Sequence, residues 1–176
     1  VSLSNDGNTI AIGAPGGGYV KIYNWNNSTW NQLGSKIIYN GSWADEFGHS
    51  VSISNDGLTV AVGAPEGDGN VNLSGFVRVY NYDGNSWIQL GNDLDGDVAG
   101  DDCGYSVSLS SDGNTVAIGA RLNNGNGQLT NGVSSHTGHV RVYNWNGSSW
   151  YQLGQDIDGE AADDQSGWSV SLSNDG

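Results

Sequence analysis

Carboxylates at alternate positions are the first residues in this chain with the types and spacing to do chemistry. Asp93-Leu94-Asp95-Gly96-Asp97, followed by Asp101 and Asp102, is echoed by Asp156-Ile157-Asp158-Gly159-Glu160, followed by Asp163 and Asp164. A loop of this kind can gather about six to eight oxygens around a hard ion such as Ca²⁺. The candidate ligands are Asp93, Asp95, Asp97, Asp101, Asp156, Asp158, Glu160 and Asp164. The glycine stands at the fourth place, not the sixth, and no helical pattern flanks it, so this is no EF-hand. The corresponding first stretch, Lys36-Ile37-Ile38-Tyr39-Asn40-Gly41-Ser42, has lost most of the acids. The competing reading is that these Asp side chains cap turns. Asp45, Asp101 and Asp164 each precede a glycine by three residues, a recurrence that predicts a structural role in bonding backbone N–H groups.

Aromatic residues are the second set. Trp25 and Trp30, Tyr82 and Trp87, and Trp145 and Trp150 bracket one recurring turn. Trp25, Tyr82 and Trp145 with nearby Asn are candidates for stacking on sugar rings. The alternative is a cross-strand pair worth up to about 1 kcal/mol. The segment from Leu122 to His139 is the longest insertion and carries His136 and His139, which without a Cys or carboxylate at matching spacing read as surface histidines. Lys21, Arg78 and Arg141 hold one recurring position and are expected to pair with acids. No nucleophile elbow, metalloprotease helix or phosphate loop is present, so the chain reads as a non-enzyme. Asn-X-Ser/Thr sequons at Asn26, Asn27, Asn40, Asn72 and Asn146 permit glycosylation on a eukaryotic secretory route.

Charge and composition narrow the partners. Nineteen acids against five basic residues give a net charge of −14 over 176 residues. Phosphate binding needs Lys and Arg, so nucleic acid and anionic membrane surfaces are disfavoured. The lone Cys103 cannot form an internal disulfide, and it stands where the preceding repeat has Phe47, which predicts a buried apolar residue. No apolar run reaches the roughly eighteen residues of a membrane span.

The elements that must position these residues repeat. Val-Ser-Leu/Ile-Ser begins at 1, 51, 107 and 170, and the first and last seven residues are the same phrase. The chain therefore reads as about three periods of a longer array. Each period has four β-type runs. Ser50 to Ser54 alternates as a strand should, Asn55-Asp56-Gly57 is a strong hairpin signal, and Thr59 to Ala64 is β-branched and small. After a Gly-rich loop come Phe76 to Tyr80, a second turn, Trp87 to Leu90, and the acidic elbow from Asn92 to Asp102. Side chains grow from the first run to the fourth, as the wedge of a propeller blade requires. The expected fold is all-β, with four-stranded antiparallel propeller blades at 1–46, 47–102 and 103–165 and a fourth beginning at 166–176.

Phe47-Gly48 before the first run and Gly63-Ala64-Pro65 after the second, with Gly75 ahead of Val77-Arg78-Val79-Tyr80, resemble the FG-GAP repeat of integrin α-subunit propellers and related extracellular proteins. In that family calcium is held by a long Asp-rich loop between the first two strands. Here that loop is Asn-Asp-Gly and one more residue, too short to wrap an ion, so the family's site does not carry over. The resemblance implies an extracellular or cell-surface module that binds another protein or a glycan, and Ca²⁺ stands as a candidate cofactor on the elbow carboxylates alone. The alternative is a structural unit of a filament or coat, assembled from further copies of itself.

Overall fold

The computed structural model describes residues 1–124 and 135–176. Blade one contains β1 (Ser2–Leu3), β2 (Thr9–Ala14), β3 (Tyr19–Trp25), β4 (Trp30–Gln32) and β5 (Ile37–Ile38). Blade two contains β6 (Ser50–Ile53), β7 (Thr59–Ala64), β8 (Phe76–Tyr82), β9 (Trp87–Gln89) and β10 (Leu94–Asp95). Blade three contains β11 (Cys103–Leu109), β12 (Thr115–Ala120), β13 (His139–Trp145), β14 (Trp150–Gln152) and β15 (Ile157–Asp158). Each blade is an antiparallel sheet four strands wide, in sequence order from its first strand outward. Among the described residues the helical content is two short 3-10 turns, Pro15–Gly17 and Trp43–Asp45.

The outermost place is shared. In blade two β9 pairs with one end of β8 and β10 with the other, and blades one and three repeat this. The acidic elbow therefore does not begin at Asn92 as the sequence suggests. The chain first returns to the third strand, so Leu94 and Asp95 are strand residues opposite Val77 and Phe76. A two-residue segment containing Asp, which strands disfavour, carries no pattern to read.

Turn chemistry explains much of the Asn, Asp and Ser content. Ser54 Oγ donates to Asp56 Oδ1 (2.6 Å), Leu58 N donates to the same oxygen (2.9 Å), and Thr59 N donates to Ser54 Oγ (2.9 Å). The same three bonds recur at Ser4–Thr9 and Ser110–Thr115. Gly57 takes φ +73° at the tip, where a Cβ would be strained.

Blades stack through apolar faces and through backbone. Ala11, Val20, Ile22 and Ile37 of blade one pack on Ile53, Val60, Val62 and Tyr80 of blade two. Ala61, Val77, Val79 and Leu94 repeat this against Leu109, Val116 and Ile118 of blade three. At the narrow side Ile53 N donates to Ser2 Oγ (3.1 Å) and Leu109 N to Ser52 Oγ (2.9 Å). At the rim Trp87 Nε1 donates to Leu33 O (3.0 Å) and Trp150 Nε1 to Leu90 O (2.9 Å). Between these lies a glycine contact: Gly13 meets the Gly48 carbonyl, Gly63 that of Gly104, and Gly119 that of Gly167. A Cβ on Gly63 would collide with backbone. Residues 166–176 continue the stack on blade three, where Leu172 N donates to Ser108 Oγ (3.0 Å) and Ser111 N to Asn174 O (2.9 Å).

Overpacking a site closed by backbone is costly, so Gly63→Ala is expected to lower the unfolding free energy by about 3 kcal/mol or more in urea titrations. Gly16, whose Cβ would meet open space, is the control. Gly16→Ala is expected to stay within about 0.5 kcal/mol of the parent.

Candidate functional site

Antiparallel pairing sorts the connections to two ends. Cys103 lies opposite Ala120, Ala120 opposite His139, and His139 opposite Asp158, so the elbows and the long second-to-third-strand loops share one end, the loop end. The Asn-Asp-Gly turns and the third-to-fourth-strand turns share the other. The two candidate sets, elbow carboxylates and turn aromatics, are thereby placed at opposite ends of the blades.

The first elbow acids meet the recurring cations. Arg78 grips Asp93 with Nε (2.9 Å) and Nη2 (2.7 Å), and Arg141 grips Asp156 in the same way at 2.8 and 2.6 Å. Gln89 and Gln152 add one bond each to these carboxylates. The Arg141 hydrogen bonds hold the Asp156 carboxyl down at about 2 against the pull of burial. Arg141 also reaches Asp97 of blade two, so one guanidinium ties two blades. In blade one Lys36 stands where the acid would be, and both Lys21 and Lys36 lie over the Tyr19 ring, at 5.4 and 5.0 Å. Lys21 is thus the exception to the expected pairing: among the described residues it has no ion pair.

Asp101 accepts from Asp97 N (3.2 Å) and Val98 N (2.9 Å), and Asp164 accepts from Glu160 N (3.1 Å) and Ala161 N (2.7 Å). Asp45 accepts from Ser42 N (3.1 Å), so all three close the elbow turn. Asp95 lies beside Asp93, and burial followed by that neighbouring charge pushes its carboxyl up. Glu160 is exposed. Among the described residues the one group of three metal-type side chains is His139, Asp156 and Asp158, whose ligand atoms lie within 4.8 Å of one another.

The turn aromatics pair across strands. Trp25–Trp30, Tyr82–Trp87 and Trp145–Trp150 have ring centroids 5.5, 5.2 and 5.3 Å apart. Tyr82 and Trp87 also cover Gly34 of the blade before, and Trp145 and Trp150 cover Gly91. These rings fill the rim between blades. Asn26, Asn27, Asn40, Asn72 and Asn146 are all exposed, and Asn26 and Asn146 use Oδ1 to accept turn N–H groups.

A further set emerges only in space. His49, Tyr105 and Trp168 occupy one step of successive repeats and form a row at the loop end, with ring centroids 4.8 Å and 5.3 Å apart. The Arg121 guanidinium lies over Tyr105 (3.9 Å) and Trp168 (4.7 Å) while Nε donates to Asp102 Oδ2 (2.9 Å). Glu46 pairs with His49 at 3.0 Å. Glu46, Asp102 and Gln165 take φ of 55°, 58° and 51°, a left-handed step rare for residues with a Cβ. A concavity of about 280 Å³ beside them is lined by Pro15, Gly16, Ala44, Glu46 and Glu66. Burial, then the charges of Asp102 and Glu46, push the Glu66 carboxyl up. The signal was in the sequence as Gly-His-Ser, Gly-Tyr-Ser and Gly-Trp-Ser. Cys103, next to this row, is buried, and burial pushes its thiol up to about 12, far from a nucleophilic thiolate. The insertion that ends at His136 and His139 lies partly outside the described residues, at 125–134; His136 stands 3.6 Å from Asp163.

Residues 30–80 match the family described as FG-GAP repeat, a span that holds Phe47-Gly48, Gly63-Ala64-Pro65 and Gly75. No curated protein matches the sequence. Solved structures match its fold. A candidate 6-phosphogluconolactonase of Bacteroides fragilis is similar at TM-score 0.60 and 12% identity over 92% of this chain and 39% of that one. One from Bacteroides uniformis gives 0.61 and 12% over 92% and 40%. Hydrazine synthase of Kuenenia stuttgartiensis gives 0.56 and 15% over 92% and 35%. The chain spans about two fifths or less of the length of these proteins, and at such identities the likeness is one of fold: part of a propeller.

Asp156 generates a pH prediction. Its folded pKa lies below the ordinary value of about 3.9, so its contribution is complete above about pH 4 and lost as pH falls toward 2. Melting temperature measured from pH 5 to 2 is expected to fall less steeply in Asp156→Asn than in the parent.

Proposed function

We propose that this chain is part of a non-catalytic extracellular recognition module that binds a protein or glycan at its loop end. The observation that carries the reading is the row His49–Tyr105–Trp168, with Arg121 stacked on it and the Glu46–Glu66 concavity beside it. Flat rings at successive blades offer faces to sugar rings or to apolar and guanidinium side chains, and the flanking carboxylates and guanidinium supply directional hydrogen bonds. The long loops rise from the same end, on a scaffold made rigid by blade stacking. The match to an FG-GAP repeat supports the extracellular setting, and no helix among the described residues is long and apolar enough to cross a membrane. Against catalysis, the described histidines face carboxylates and the one thiol is buried. The lactonase names attached to similar structures rest on 12% identity, which carries the fold alone.

A second reading, that of a structural unit, is favoured by the two outer faces. Leu3, Ile12 and Trp30 of blade one are 54%, 37% and 44% exposed, and Ile12 and Trp30 line a 340 Å³ hollow with Ile10 and Tyr23, whereas the blade-two counterparts Ile53, Val62 and Trp87 pack on blade one. Leu153 and Ile157 of blade three are likewise exposed, at 42% and 58%. Each face suits another blade of this repeat, in the same polypeptide or in another copy.

Trp168 is 54% exposed, so its removal leaves the core intact. On a panel of immobilised glycans and extracellular proteins, Trp168→Ala is expected to weaken retention at least about tenfold, the share of a binding hot spot, with the melting temperature little changed. Unchanged retention, or turnover of a phosphosugar lactone above its spontaneous rate, would contradict the proposal. Assembly that persists on dilution in light scattering without any ligand would favour the second reading.

A further inference from the structure

His139 is a largely buried imidazole set among carboxylates. It is 3% exposed, and among the described residues its ring makes no hydrogen bond; its nearest polar partner is Asp156 Oδ2, 3.8 Å from Nδ1. The ring faces carboxylates. Asp158 lies directly opposite His139 in the strand register, Asp156 is two residues before it on the same face, and the ligand atoms of the three lie within 4.8 Å of one another.

We propose that His139, Asp156 and Asp158 form a binding site for a divalent transition-metal ion of the zinc type. One imidazole and two carboxylates are a donor set suited to such an ion, with solvent left to complete its coordination. Adjacent ligands of tetrahedral zinc stand about 3.3 Å apart; His139 and Asp156 are 3.8 Å apart, and the three ligand atoms, spread over at most 4.8 Å, would draw together around the ion. Asp156 keeps a lone pair for the ion while Arg141 and Gln152 fix its orientation, the arrangement in which outer partners hold a ligating carboxylate. Charge agrees. Asp97 and Asp156 pair with the single guanidinium of Arg141 and Asp158 has no ion pair among the described residues, so three carboxylates and one cation leave two negative charges for a divalent ion to neutralise.

The other repeats are built-in comparisons. At the same register blade two has Phe76 opposite Asp95, and blade one has Tyr19 opposite Ile38 with Lys36 in place of Asp156. Only blade three combines the three donors. The site differs from the alternating Ca²⁺ loop in needing the imidazole from the start of β13, and a bound ion would fasten that start to the outer strand.

The test is calorimetric titration of the protein, stripped with chelator, with Zn²⁺ alone and separately with Ca²⁺ alone. One Zn²⁺ per chain is expected, tighter than Ca²⁺, with a rise in melting temperature. His139→Phe, which installs the residue blade two carries here, is expected to weaken Zn²⁺ binding by about a hundredfold or more, beyond what loss of an outer partner costs. Asp158→Asn gives the same loss without touching the core and stands in if the Phe variant does not fold. No Zn²⁺ binding by the parent, binding that both variants retain, or preference for Ca²⁺ unaffected by His139→Phe would each overturn the site.

Discussion

The contact between paired glycines of successive blades is the constraint on which the rest of the molecule depends. Gly13, Gly63 and Gly119 are the penultimate residues of the second strands, and Gly48, Gly104 and Gly167 stand at the entry to the repeats that follow. Each pair brings backbone against backbone with no room for a Cβ. Ser50 and Ser106 lock the same carbonyls of Gly104 and Gly167 by donating their Oγ hydrogens at 2.7 Å. This approach sets the spacing at which Val60 and Val62 can meet Ala11 and Ile22, and at which a tryptophan indole at the rim reaches the carbonyl of the blade before. Loosening it by the width of a methyl group would open the core at every junction.

The same constraint positions the candidate site. Because the glycine contact fixes the start of each first strand, His49, Tyr105 and Trp168, one residue beyond it, fall into a row, and Glu46 and Asp102, two residues before it, stand beside that row. Their left-handed backbone is a local cost that the stacked blades sustain. The recognition proposed for the loop end would rest on this scaffold geometry: a ring is displayed once per blade, and the loops between second and third strands vary in front of it.

Much of the fold was legible because a repeated chain states its rules several times. Alternation in Ser50–Ile53, the Asn-Asp-Gly turns and the increase in side-chain size announced strands, hairpins and a wedge. The divided outer strand was not legible, since Leu94–Asp95 and Ile157–Asp158 are too short and too acidic to carry a strand pattern. The site was legible in part. The structural role of Asp45, Asp101 and Asp164 showed in their fixed distance from a glycine, whereas the pairing of Arg78 with Asp93 needed a register fifteen residues long. The row of rings left a trace in the Gly-X-Ser triplets, yet neighbours fifty or more residues apart meet only once the blades are stacked. His139 read as a surface histidine, and the structure buries it because its strand begins behind the outer segment Ile157–Asp158.

Hydrogen exchange, resolved by NMR, tests the central claim most directly: it compares the indole N–H of Trp87 and Trp150 and the amides of Ile53 and Leu109, all bonded between blades, with strand amides inside one blade. If backbone contact makes the blades a single cooperative unit, both groups exchange with the same opening free energy, and the Trp30 indole, 44% exposed and without an inter-blade bond among the described residues, exchanges far faster. If the inter-blade protons exchange as fast as Trp30 while the strand amides stay protected, the blades are independent beads and the account is wrong.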